Sequence, residues 1–251
     1  MQRSTEDWHA RFKQQAGWTG QLRRYLLARL DLDGASRVLE VGCGTGAITA
    51  ALNAETPARI FGLDLNLSFL GLARQSDPET DLCGGNALAL PFTDGCFSAV
   101  ACHFFLLWIT DPAAVLAEMA RVTCPGGFIL ALAEPDYGGR VDYPPPLDEL
   151  GAWQAEALRQ QGAAPNRGRE LAGLFHAAGL QAVETGVLGG QWQEQPDLAD
   201  IQAEWATLEA DLAGSVPAER LAELKKMDRA AWQSGARVLF VPTFYAVGKK
   251  K

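Results

Sequence analysis

The densest chemistry in this chain of 251 residues is a glycine-rich bend, Glu40-Val-Gly-Cys-Gly-Thr-Gly46, directly behind a short apolar run, Arg37–Val41. Glycine at such a bend allows positive φ and lets a ligand lie against the main chain. Gly42, Gly44 and Ala47 satisfy the dinucleotide pattern G-x-G-x-x-[GA], and Asp64 follows at the distance of a ribose-binding acid. A nicotinamide-dependent oxidoreductase is therefore one reading. Two features favour another. Glu40 stands at the strand tip, and a carboxylate there repels a pyrophosphate but attracts a cationic ligand. The only Tyr-x-x-x-Lys, Tyr245 to Lys249, falls in a terminal strand pattern rather than on a helix.

Other residue types that could do chemistry are scattered. His103 opens His-Phe-Phe-Leu-Leu-Trp108 and could act as a base toward a hydroxyl or amine, or simply fill space. Phe104, Phe105 and Trp108 are expected as core or as walls of a ligand site, with Trp108 a possible substrate contact. Cys96, Cys102 and His103 match no zinc spacing and are expected to pack the core. Glu134-Pro-Asp-Tyr-Gly-Gly-Arg140 leaves a strand at the edge where open parallel sheets bind ligands. Asp136, Tyr137 and Arg140 are thus either substrate neighbours or polar groups of a solvent loop, and Tyr137 joins His103 as a candidate catalytic residue. Gln15, Trp18 and Thr19 sit at a helix break, where Trp18 could cover a ligand or anchor the helix. Trp192 and Trp205 are expected in helix packing, and Asn166-Arg-Gly-Arg169 as a cap with surface charge.

These groups need elements to position them. Periodicity predicts a helical N-terminus over residues 5–32, broken near Gly17–Gly20. Strand-like runs at 37–41, 59–63, 81–83, 97–102 and 126–132 alternate with helical stretches at 47–53, 67–74 and 112–122. That alternation predicts a doubly wound, mostly parallel α/β sheet. Residues 134–146 read as a Pro- and Gly-rich loop, followed by helices near 147–161 and 167–178 and a strand at 182–187. An acidic helical stretch covers 196–234. A final strand is expected over 237–247, with Pro242 implying an edge position or a bulge.

Composition narrows the function classes. Hydrophobic residues form 48%, too many for a disordered chain, and no apolar run reaches the ~18 residues of a membrane span. A formal charge of −8 argues against nucleic acid as partner. Basic residues crowd the N-terminus (Arg3, Arg11, Lys13, Arg23, Arg24, Arg29), and their helical spacing predicts a solvated face. Five cysteines without a CxxC predict reduced thiols. With a charged rather than apolar start at residues 1–10, the expected location is the cytoplasm. No pattern specifies an oligomeric state.

The ordered motifs carry a resemblance. Val38-Leu-Glu-Val-Gly-Cys-Gly-Thr-Gly46 resembles the first motif of class I S-adenosylmethionine-dependent methyltransferases. Gly62-Leu-Asp-Leu65 resembles the second-strand motif. Gly85-Asn-Ala87 with Leu90-Pro-Phe92 resembles the segment beside the adenine, Asn86 standing where the family commonly has Asp. Phe97-Ser-Ala-Val100 and Leu116 to Gly127 complete the match over residues 37–134, closest to the small-molecule branch that includes quinone-biosynthesis enzymes. The resemblance implies a Rossmann-like, seven-stranded fold in one domain: a helical cover (1–33), a cofactor-binding core (34–135), and substrate-side loop, helices and closing strands (136–251). It implies S-adenosylmethionine as cofactor and SN2 methyl transfer to a small molecule. Gly42, Cys43, Gly44, Thr45 and Gly46 would line the cofactor and Glu40 its amino end. Asp64 with Leu65 would take the ribose, Asn86 and Ala87 the adenine. His103 and Trp18 would lie near the methyl donor. A cofactor-binding protein without turnover is the non-enzymatic alternative.

Overall fold

The computed structural model describes residues 4–188 and 197–251, with the Leu188 side chain excluded. Trp192 and Arg3 lie outside the described residues. Helix α1 (Thr5–Trp18) starts where the Ser4 hydroxyl accepts the Asp7 N–H and the Asp7 carboxylate accepts the Ser4 N–H. The break falls at Thr19, and α2 (Gly20–Leu27) restarts behind it. The Thr19 hydroxyl donates to the Gln15 carbonyl at 3.2 Å, satisfying a carbonyl left over by the helix end.

Strands and helices then alternate: β1 (Arg37–Val41), α3 (Ala47–Glu55), β2 (Arg59–Asp64), α4 (Leu67–Ser76), β3 (Asp81–Gly84), β4 (Phe97–His103), α5 (Pro112–Val122) and β5 (Thr123–Pro135). The chain continues through β6 (Val141–Tyr143), α6 (Glu149–Gln160), α7 (Leu171–Ala177), β7 (Gln181–Leu188), α8 (Leu198–Asp211), α9 (Ala218–Gln233), β8 (Val238–Phe240) and β9 (Thr243–Lys249). Among the described residues the main sheet has seven strands in the order β3-β2-β1-β4-β5-β9-β7. Strands β1 to β5 run parallel, and β9 is antiparallel to β5 and β7.

Strand alternation builds two cores. Leu39, Val100 and Ile129 face α5 and α7, where Leu116, Met119 and Phe175 are fully buried. Val38, Ala99 and Leu130 face the other way, toward Leu26 of α2 and Leu52 of α3. A separate cluster joins α6, α8 and α9 around Leu150, Trp205 and Leu224.

Three expectations are corrected. The stretch 134–146 is not wholly loop: Tyr137–Gly139 forms a 3₁₀ turn, and β6 pairs antiparallel with β8. The expected single strand over 237–247 is two. Pro242 separates them, because it brings no N–H to a ladder, and its carbonyl accepts the Asp136 N–H at 2.8 Å. Beyond it β9 is an interior strand, not an edge. Nor is the basic N-terminal face simply solvated. Arg11 and Arg23 are buried, paired with Glu204 at 3.0 Å and Glu55 at 2.7 Å.

Candidate functional site

In β1 the side chains of Val38 and Glu40 share the face toward α3, so a carboxyl is carried into the interior at the strand tip. Glu40 is 2% exposed and accepts a 2.5 Å hydrogen bond from the Thr49 hydroxyl. Burial pushes its pKa up to about 8 against the opposing pull of Thr49, so the carboxyl is protonated at neutral pH until a cation reaches it. Asp64 ends β2 and braces the glycine bend, accepting the N–H of Gly44 at 2.8 Å and of Asn66 at 2.8 Å.

The bend is glycine for a geometric reason. Gly42 has φ +75°, and a Cβ there would come within 2.2 Å of the Phe105 ring. Gly44 has φ +53° and would meet Phe12 at 2.9 Å. Beside the bend and these two rings opens a cavity of about 290 Å³. Glu40, Gly42, Cys43, Gly44, Asp64, His103 and Trp108 line it, as do Phe104 and Phe105. The rest of the wall comes from α1 (Trp8, Phe12, Gln15), from Ala47 and Ile48 of α3, and from Phe69 of α4. Trp8 stacks on Phe12 at 5.5 Å, Phe12 meets Phe69 edge-on at 5.7 Å, and Trp8 meets Trp108 edge-on at 6.5 Å. Trp108, 39% exposed, stands at the mouth.

His103 is buried, its Nε2 2.9 Å from the Thr19 hydroxyl. Burial first, and the nearby Arg23 second, lower its pKa to about 3. It is an uncharged wall at neutral pH and a weak proton acceptor. Glu134 at the end of β5 is wholly buried and accepts the N–H groups of Phe105 and Leu106 at 2.8 Å and of Leu107 at 3.2 Å. It thereby fixes the turn that carries Phe105 and Trp108.

Several expected site residues lie elsewhere. Trp18 is outside the cavity wall, its ring packed under the Arg11 guanidinium at 4.8 Å. The Thr45 hydroxyl pairs with His9 Nδ1 at 2.8 Å, and Gly46 packs against Ala73 of α4. Leu65 is 73% exposed, and Asn86 and Ala87 sit beside Asp64 without lining the cavity. Asn86 Oδ1 accepts the Leu88 N–H at 3.0 Å. Asp136 and Arg140 are not loop groups open to substrate. Asp136 is buried against Arg169, and Arg140 is held by Asp142 at 2.6 Å. Tyr137 is buried among Leu107, Ala155 and Leu158. Arg167 is no surface charge either; it donates to the carbonyls of Leu106 and Ile109. The overlooked wall residues Trp8 and Phe12 recur with Gln15 at helical spacing, a stripe on one face of α1 that was readable.

A parallel sheet whose first two strand tips offer carboxyl groups to a glycine-lined, aromatic-walled cavity defines a cofactor-dependent α/β enzyme. Residues 39–131 match the methyltransferase domain family model. The demethylmenaquinone methyltransferase of Bacillus licheniformis is 34% identical over 195 residues, 69% of this chain and 81% of that enzyme. That of Renibacterium salmoninarum is 37% identical over 124 residues, 47% of this chain and 52% of its own length. Among solved structures, phosphoethanolamine N-methyltransferase 2 of Haemonchus contortus superposes with a TM-score of 0.59 at 16% identity, covering 89% of this chain and 51% of that one. Geranyl diphosphate methyltransferase superposes at 0.57 and 14% identity, covering 93% and 85%. At such identities these two establish the fold. The chain belongs to the class I S-adenosylmethionine-dependent methyltransferase family and is related to quinone-biosynthesis enzymes. The nicotinamide reading finds no support. The site suits the family's cofactor: Glu40 and Asp64 flank a backbone that no side chain could occupy, under rings whose faces attract a cation.

Proposed function

We propose that this chain methylates a small, planar, largely apolar acceptor in the cytoplasm, a quinone-class compound such as the demethylmenaquinone that its relatives' names carry. The observation that carries the reading is the meeting of Glu40, Asp64, Gly42 and Gly44 in one cavity whose outer wall is aromatic. S-adenosylmethionine, when bound, supplies a methyl group on a positively charged sulfur, open to in-line displacement. Glu40 ionises to hold its amino end. Asp64 receives the ribose hydroxyls, with Leu65, Asn86 and Ala87 bordering the adenine. Trp8 and Trp108 hold the acceptor ring at the mouth and exclude water. Burial keeps the His103 imidazole uncharged and weakly basic, so the proton that leaves the acceptor on methylation, whether from a hydroxyl or from a ring carbon, goes to solvent. The chain works as one unit, residues 1–33 covering the cavity and 34–135 binding cofactor, with α8 seating α1 through Glu204. The acidic net charge supports a small-molecule partner over nucleic acid.

Calorimetry with S-adenosylmethionine and S-adenosylhomocysteine tests the cofactor half, and saturable heat is expected from both. Labelled methyl donor with chemically reduced demethylmenaquinone, and with simple phenols in parallel, tests the acceptor half by product mass. No heat and no thermal shift with either nucleoside ends the proposal. Label on phenols alone transfers it to another acceptor class.

A further inference from the structure

The outer wall of the cavity rides on α1, and a buried ion pair seats that helix against the C-terminal half. Arg11 lies beside Phe12 and one turn from Trp8. Its Nη1 donates to Glu204 Oε2 on α8 at 3.0 Å and to Gln14 at 2.8 Å. Glu204 cannot drift, because Arg140 donates to its other oxygen at 3.4 Å. Arg140 is in turn held by Asp142 at 2.6 Å and Gln154 at 2.6 Å. Asp142 takes Arg237 at 2.6 Å, and Arg237 reaches Asp228 at 2.6 Å. The Arg11 and Arg140 side chains are 8% and 1% exposed, and Glu204 15%. Burial alone would raise the Glu204 pKa; the two arginines reverse this and hold it low, so it is the anion both need. On its other side α1 is tied to the glycine bend by His9 and Thr45 at 2.8 Å.

We propose that Glu204 is a positioning residue for the cofactor cavity: through Arg11 it seats α1, and so sets how closely Phe12 covers Gly44 and Trp8 meets Trp108. The inference rests on the cavity being the cofactor site. Without the Glu204 charge Arg11 is left buried without its anion, and α1 must tilt toward water to hydrate it.

The test compares Glu204→Gln, which keeps side-chain length and an oxygen for Arg11, with Glu204→Ala. Glu149→Gln serves as a control, since it weakens the Arg220 pair away from α1. Two quantities are read: the dissociation rate of S-adenosylhomocysteine, and amide exchange of residues 5–18 in the free protein. Glu204→Gln is expected to speed dissociation about tenfold, equivalent to about 1.4 kcal/mol, and to raise exchange in α1 while α6 and α9 keep theirs. Glu204→Ala exceeds it, and the control matches the wild type. Dissociation within twofold of wild type, or exchange that rises evenly across the chain, overturns the proposal. Should Glu204→Ala not fold, Glu204→Gln decides alone. Should the wild type bind no S-adenosylhomocysteine, the cofactor reading fails, and exchange in α1 still decides the seating.

Discussion

At the scale of single residues, the proposed cofactor site should couple binding to protonation. Glu40 is neutral near pH 7 because burial outweighs its bond to Thr49. An ammonium group beside it favours the ionised form. Uptake of S-adenosylmethionine at pH 7 should therefore release close to one proton, and affinity should rise with pH until about 8. Calorimetry in buffers of different ionisation enthalpy reads the proton count directly. Glu40→Gln should bind about 10- to 100-fold more weakly, the size of a charge-assisted hydrogen bond, and lose the pH dependence. An unchanged proton count in the variant would show that another group carries the linkage. Gly42→Ala acts by geometry instead. Its Cβ, at positive φ and 2.2 Å from the Phe105 ring, should cost about 1–3 kcal/mol of stability and abolish cofactor binding. Urea unfolding beside a binding titration separates the two effects.

At the scale of elements, the turn after β4 is shaped by a residue from β5. Three backbone donors, Phe105, Leu106 and Leu107, share the Glu134 carboxyl. Glu134→Ala orphans them and should destabilise the chain by about 3 kcal/mol, with Glu134→Gln much milder because an oxygen remains. Cofactor affinity should fall with stability in the Ala variant, since Phe105 stands over Gly42 on that turn. Denaturant midpoints for the pair, at constant m, check it. A Gln variant as damaged as the Ala variant would mean that charge rather than donor satisfaction matters. Trp108→Ala, at the mouth, should raise KM for the acceptor several-fold while leaving cofactor affinity within about twofold of wild type.

At the scale of the whole molecule, three buried groups with large shifts dominate how stability varies with pH, and Glu204, held low by Arg11 and Arg140, adds to the loss toward acid. Burial raises Glu40 to about 8 and Glu134 to about 7 and lowers His103 to about 3. From pH 4.5 upward the folded chain keeps two carboxyl protons that the unfolded chain has lost, so each group removes about 1.4 kcal/mol of stability per pH unit until its folded pKa is passed. His103 works in the opposite sense. Its unfolded form holds a proton below pH 6.5 that the folded form refuses, so its contribution to stability falls as pH drops toward 3. Together they predict a thermal midpoint that is highest near pH 4.5 and declines toward pH 8. Glu40→Gln should flatten the decline across pH 4.5 to 8, and Glu134→Gln only up to pH 7. A midpoint rising from pH 5 to 8 contradicts the protonated state of both carboxyls.

Local rules made much of this protein readable from its residues alone. Alternating patterns set β1 to β4 and their helices to within two residues and β5 to within three at each end, because strand and helix periods are properties of neighbouring side chains. The bend at Glu40–Gly46 and the acid at Asp64 were readable because a backbone that must turn sharply against a ligand needs those residue types in that order. What tertiary structure alone decided was the destination of long side chains. Arg140 and Asp136 carry the same formulae whether they meet substrate or buried partners of their own chain. Gln154 and Glu204 close around Arg140 beside its chain neighbour Asp142, and Arg169 comes from farther along the chain to pair with Asp136. The same holds for Glu134, His103 and Pro242. Desolvation and hydrogen-bond pairing are set by what packs against a group in space, and neither is written in the spacing of its neighbours along the chain.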